Sequence, residues 1–156
     1  GVPQQGTSRK GGGGVSREVS AMTVLVFGPL GSGKTTWVQS HLGNGICYDL
    51  DYISGALRLT GPHEERHKFS REIANHLLSE ILDFTGAQDE FNLFVIRCAP
   101  TVEELEDIGP DLVVEITGRH DVSNRPDYVE DQKQPVESAW IKSWCRENRI
   151  RFISPP

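Results

Sequence analysis

The chain has 156 residues, 37% of them hydrophobic, and a formal charge of −6. Its length suits one globular domain with a substantial core, while no apolar run nears the roughly 20 residues that span a bilayer and none near the N-terminus reads as a secretion signal. The acidic balance argues against non-specific, charge-driven nucleic-acid binding, and three cysteines without metal-ligand spacing read as thiols in a reducing cytoplasm.

Residues 1–21 differ from the rest. Gly11-Gly12-Gly13-Gly14, with scattered Ser, Thr, Gln and Pro, is linker composition that lacks the apolar surface to fold. Arg9, Lys10, Arg17 and Glu18 give this stretch a net +2, so residues 22–156 carry −8 and the whole chain −6. The single methionine, Met22, opens the first apolar run. We therefore expect residues 1–21 to be a flexible tail of expression origin and residues 22–156 to form the domain.

Met22-Thr23-Val24-Leu25-Val26-Phe27 reads as a buried parallel strand. Gly28-Pro29-Leu30-Gly31-Ser32-Gly33-Lys34-Thr35 follows and fits G-x-x-x-x-G-K-[ST] at every fixed position. Residues 35–42 then predict a helix closed by Gly43. Glycines let successive backbone N–H groups turn inward on a phosphate, and the helix N-terminus adds its positive end. This predicts a nucleoside-triphosphate site in which Gly28, Leu30, Gly31, Ser32, Gly33, Lys34, Thr35 and Thr36 hold ATP. Lys34 reaches the β- and γ-phosphates, and the Thr35 hydroxyl serves Mg²⁺.

Ile46-Cys47-Tyr48 predicts a second strand ending in Asp49-Leu50-Asp51, and a brief helix over 52–59 stops at Gly61-Pro62. A longer helix is expected over 63–84, with Phe69, Ile73, Leu77, Ile81 and Phe84 on one face. Residues 91–96 form the third strand by composition. Thr101-Val102-Glu103-Glu104 is a capping box for a short helix that Gly109-Pro110 ends. Residues 112–116 read as the fourth strand, 117–134 as a polar segment, 135–148 as the last helix and 150–153 as the fifth strand. Alternating strands and helices predict an α/β domain: a five-stranded parallel sheet with helices on both faces, in three layers. Its functional residues are then expected just past strand ends.

Asp49 and Asp51 lie there, on one side of the second strand if it continues through both. Asp49 is expected to serve Mg²⁺ and Asp51 to act as the base toward a phosphoryl acceptor, a helix cap being the other reading of Asp51. The third strand ends in Arg97-Cys98-Ala99-Pro100 without a carboxylate, which raises the weight on Asp49. Arg119 and Arg125, in the polar segment, are candidate clamps on the transferring phosphate, with solvated loop arginines as the plain alternative. Arg97 could reach an acceptor phosphate or pair with a nearby Glu. His63-Glu64-Glu65-Arg66-His67 matches the zinc-peptidase pattern but carries charge where that helix is buried, so it reads as a decoy. Trp37, Trp140 and Trp144 read as packing.

Gly28–Thr36 with Trp37, Tyr48-Asp49-Leu50-Asp51, the 95–101 stretch and the Trp140/Trp144 helix together resemble the small P-loop kinase-like ATPases of phages and prophages, in the neighbourhood of polynucleotide kinase and the zeta toxins. The resemblance covers nearly all of 22–156. It implies the P-loop NTPase fold with strand order 2-3-1-4-5 and a cytoplasmic kinase. Such an enzyme would move the ATP γ-phosphoryl group to a nucleoside, a nucleotide or a polynucleotide 5′-hydroxyl, with Asp51 matching the base of the phage kinase. The partners expected are thus a nucleotide and a small-molecule or nucleic-acid-end acceptor, with no membrane. A nucleotide-dependent module that hydrolyses slowly or not at all is the alternative.

Overall fold

The computed structural model describes residues 21–119, 121–127 and 138–156. Strand β1 (Thr23–Phe27) is the centre of the sheet because its side chains are apolar on both faces. Val24 and Val26 point into one buried cluster and Leu25 and Phe27 into another. It pairs in parallel with β3 (Leu93–Arg97) on one side and β4 (Leu112–Glu115) on the other. Strand β2 (Ile46–Asp49) adds beside β3, and β5 (Arg151–Ile153) beside β4. The sheet is all-parallel, in the order β2-β3-β1-β4-β5, as the sequence led us to expect.

Helix α1 (Lys34–His41) covers one face through Val38 and Trp37. The opposite face is covered by α3 (Lys68–Thr85), α4 (Val102–Ile108) and α5 (Ala139–Glu147), through Leu78, Leu105, Ile141 and Cys145. Helix α2 (Leu50–Leu57) packs on α3. The capping box of α4 forms in both directions, with Glu104 N–H on Thr101 Oγ1 at 3.1 Å and Thr101 N–H on Glu104 Oε1 at 2.9 Å. Gly109 ends that helix in the left-handed region at φ 59°.

Two expectations about α3 are corrected. Residues 63–67 are not helical, since α3 begins at Lys68 with the His67 side chain accepting from Ser70 N–H. Nor does α3 bury the expected stripe. Phe69, Ile73, Leu77 and Phe84 are exposed, while Ser70, Ala74, Leu78 and Thr85 face inward and Ile81 packs on the core from the edge. Polar ties set that rotation. Tyr48 Oη donates to the Ala74 carbonyl at 2.6 Å, and the Ser54 and Ser70 hydroxyls meet at 2.7 Å. The small inward residues let α3 approach β2 and α2 closely enough for these bonds.

Trp140 is also exposed, and Ile141 and Cys145 do the packing expected of it, with Trp144 alongside. Residues 1–20 and 128–137, which include most of the expected tail and the start of the expected last helix, lie outside the described residues. Among the described residues, no helix is long and apolar enough to cross a membrane.

Candidate functional site

A cleft of about 600 Å³ opens where the carboxyl ends of β1, β2 and β3 meet the segment that follows β4. The turn from β1 into α1 forms one wall. Gly33, at φ 99°, is the N-cap of α1, so Lys34 is the first helical residue. Close backbone approaches hold this turn in place. A Cβ at Gly28 would collide with the Ile116 carbonyl oxygen, and one at Gly118 would lie 2.5 Å from the Ser32 carbonyl oxygen. The chain leaving β4 thus buttresses the glycine turn. Gly118 was not singled out in sequence because it belongs to no motif.

Lys34 is 8% exposed, and its Nζ donates to the carbonyls of Gly28 at 2.8 Å and Pro29 at 2.9 Å. Burial pulls the pKa of this ammonium down, opposed by the neighbouring Cys98 and by the carboxylates of Asp49 and Asp51. Leu30, Gly31, Thr35 and Thr36 line the cleft beside it. Ser32 Oγ is buried with no hydrogen-bond partner.

Asp49 and Asp51 both reach the cleft, but not by strand alternation. Strand β2 ends at Asp49, and Asp51 already lies in the first turn of α2. Asp49 is the N-cap of α2: its Oδ1 accepts from Asp51 N–H at 2.9 Å and Tyr52 N–H at 3.4 Å. Burial, and then the charge of Asp51, push the Asp49 carboxyl pKa up, against those two bonds and Lys34. The capping role weighed for Asp51 therefore belongs to Asp49. Asp51 instead accepts from Arg71 Nη1 at 2.7 Å.

Arg125 lines the cleft with its Nε buried and without a hydrogen-bond partner, whereas Arg119 is exposed and outside the lining. Arg97 lies over the Tyr48 ring, 5.6 Å from its centroid. Its Nε is 3.2 Å from Glu104 Oε2 but the N–H is not aimed at that oxygen, so the two form an ion pair without a hydrogen bond. The end of β3 brings Arg97, Cys98 and Ala99 to the cleft, and no carboxylate.

Three further side chains, Arg71, His63 and Asp127, make contacts that the sequence does not signal. Arg71 reaches Asp51 from α3, 20 residues away. His63, half-exposed on the cleft wall, meets Asp127 across 64 residues. Nothing local to either segment signals those pairings. His67 is engaged in capping α3, so the zinc-peptidase pair of histidines on one helix face does not form. Compared with protein-family models, curated proteins and solved structures, the chain matches none.

Proposed function

We propose that this cleft binds a magnesium nucleoside triphosphate, ATP in the first instance, and that the protein passes its γ-phosphoryl group to a hydroxyl acceptor of the nucleoside, nucleotide or polynucleotide 5′-end class. On this reading the chain is a P-loop kinase, with the phage-type resemblance of its motifs as supporting argument. The observation that carries the proposal is the buried ammonium of Lys34, hydrogen-bonded to carbonyls of its own glycine turn at the start of a helix. Burying an ammonium is costly unless the site uses it, and a phosphate chain is the partner that such a turn and helix end fit. Ser32 Oγ and Arg125 Nε, both buried and unpartnered, are donors of the kind phosphate oxygens satisfy.

Each side chain then has a role. Lys34 leaves the carbonyls of Gly28 and Pro29 for the β- and γ-phosphate oxygens, and the amides of the turn take the rest. Thr35 and Asp49 would hold Mg²⁺, which when bound neutralises charge on the phosphate chain. Asp51, aligned by Arg71, orients the acceptor hydroxyl and takes its proton as the O–P bond forms and ADP leaves. Arg125 meets charge that develops on the transferring group. Arg119 would contribute only if its segment moved inward.

A second reading is a nucleotide-binding module with little or no turnover. The end of β3 favours it, because Arg97 and Cys98 reach the cleft there with no carboxylate to assist the metal. The two readings separate on ADP release from Mg·ATP, alone and with nucleosides, nucleoside monophosphates and a 5′-hydroxyl oligonucleotide. A kinase shows turnover raised by one acceptor and abolished in Lys34→Ala and Asp51→Asn. Binding without acceptor-dependent turnover, unchanged by Asp51→Asn, leaves the module. No binding in the natural chain sinks both.

A further inference from the structure

Asp127 is the most deeply buried carboxylate among the described residues that meet near the cleft, with its side chain 2% exposed. Its Oδ2 lies 3.1 Å from His63 Nδ1, while Oδ1 is buried with no hydrogen-bond partner. A buried carboxylate oxygen left without a donor loses its hydration with nothing in return. The imidazole does not relieve it, because its Nδ1 already faces the other oxygen. Asp51 completes the group: one potential ligand atom from each of Asp51, His63 and Asp127 lies within 4.8 Å of the others.

We propose that Asp51, His63 and Asp127 form a binding site for a borderline divalent cation, Zn²⁺ above all. Two ligands held about 2.0–2.2 Å from one ion stand about 3.0–3.5 Å apart, so the His63–Asp127 pair already has the spacing of neighbouring ligands. One imidazole nitrogen with two carboxylates suits first-row ions better than Mg²⁺, which prefers oxygen ligands and water. A cation on Asp127 would also offset the charge of a buried carboxylate whose Oδ1 has no hydrogen-bond donor. Arg71 on Asp51 Oδ1 opposes a second cation, which places the affinity in a moderate range rather than at that of a closed structural zinc site.

The three residues come from three places. Asp51 is in the first turn of α2, His63 in the loop before α3, and Asp127 in the segment that follows β4. An ion held by all three ties the segment carrying Arg125 to the far wall of the cleft. It would also compete with an acceptor hydroxyl for Asp51. The site goes beyond the phosphoryl-transfer reading and does not rest on it.

The test uses the full chain without nucleotide, in a Cys47→Ser background because Cys47 is an exposed thiol that would collect zinc. Zn²⁺ alone is titrated by calorimetry, with thermal melting in zinc and in chelator alongside. One equivalent should bind and raise the melting temperature. His63→Gln and Asp127→Asn should each weaken binding at least about 10-fold, and His67→Gln should leave it unchanged. His63→Gln keeps the test decisive should Asp127→Asn fold poorly, since His63 is partly exposed. Absence of stoichiometric binding, or binding that survives His63→Gln, overturns the proposal. With no nucleotide present, neither result bears on the kinase reading.

Discussion

Gly118→Ala tests whether the chain leaving β4 sets the position of the glycine turn between β1 and α1, which we propose holds the triphosphate. Gly118 is not in the left-handed region, so alanine brings no backbone strain and its whole effect is steric. The new Cβ would stand 2.5 Å from the Ser32 carbonyl oxygen, at least about 0.5 Å inside the 3.0 Å limit of real contacts. That neighbour is backbone, so no rotamer change relieves the clash and the turn itself must move. Overpacking of this kind costs about 1–3 kcal/mol of stability. Displacing binding groups by that much also exceeds the tolerance of a preorganised site, and we expect triphosphate affinity to fall at least about 10-fold. The control is Gly109→Ala, at φ 59° with open space around it and at the end of α4. It should cost about 1 kcal/mol through strain alone and leave affinity unchanged. The assay is nucleotide titration by calorimetry beside thermal melting of both variants. If Gly118→Ala binds triphosphate like the natural chain, the buttress argument fails, whatever happens to stability.

Three further predictions follow from the same geometry. Asp49→Asn should stabilise the free protein at neutral pH. The folded carboxyl has a raised pKa, so its protonated form is the one the fold favours, and that advantage is lost as pH rises through the folded pKa. Urea melts should show the gain at pH 7 and its disappearance below the unfolded value of 3.8; equal stability at pH 7 would refute it. Triphosphate binding should take up a proton at alkaline pH, because burial lowers the Lys34 pKa and phosphate charge restores it. Calorimetry in buffers of different ionisation enthalpy reads this, and a buffer-independent enthalpy would count against it. Tyr48→Phe removes the 2.6 Å bond from β2 to the Ala74 carbonyl and should cost about 1 kcal/mol, or roughly 3 °C in Tm. An unchanged melting curve would show that the bond does not set the rotation of α3.

What was legible in the sequence was local. The apolar runs gave the five strands, the Thr101–Glu104 box gave α4, and the glycine pattern located the turn into α1. Features decided by distant partners were not. Asp51 read as a strand end because alternation fits Tyr48-Asp49-Leu50-Asp51, yet Asp49 caps a helix at once and Asp51 turns to Arg71. Helix α3 read by hydrophobicity predicts the stripe through Phe69, Ile73 and Leu77. The hydroxyl pair of Ser54 and Ser70 and the Tyr48 bond rotate a face of small residues inward instead. Asp127 sat in a segment read only as polar, and its importance comes from His63, 64 residues earlier.

The same distinction between paired and unpaired groups organises the cleft. The domain is acidic in sum, and charge counting alone would argue against an anionic ligand. Around the cleft, however, several charges are already matched: Arg71 by Asp51, Arg97 by Glu104, and His63 lies against Asp127. Those pairs join α2 to α3, β3 to α4, and the α2–α3 loop to the segment after β4, so they fix the shape of the walls. Lys34 differs, because carbonyls rather than carboxylates hold it, and Arg125 differs because its buried Nε has no partner. A carbonyl is the weaker partner for a cation, so a phosphate can take Lys34 without leaving a carboxylate stranded. The matched groups are therefore costly to recruit and the unmatched ones are not. On the proposed reading, an incoming anion would be drawn to Lys34 and Arg125 by the company the other cations keep, which no count of charged residues reveals.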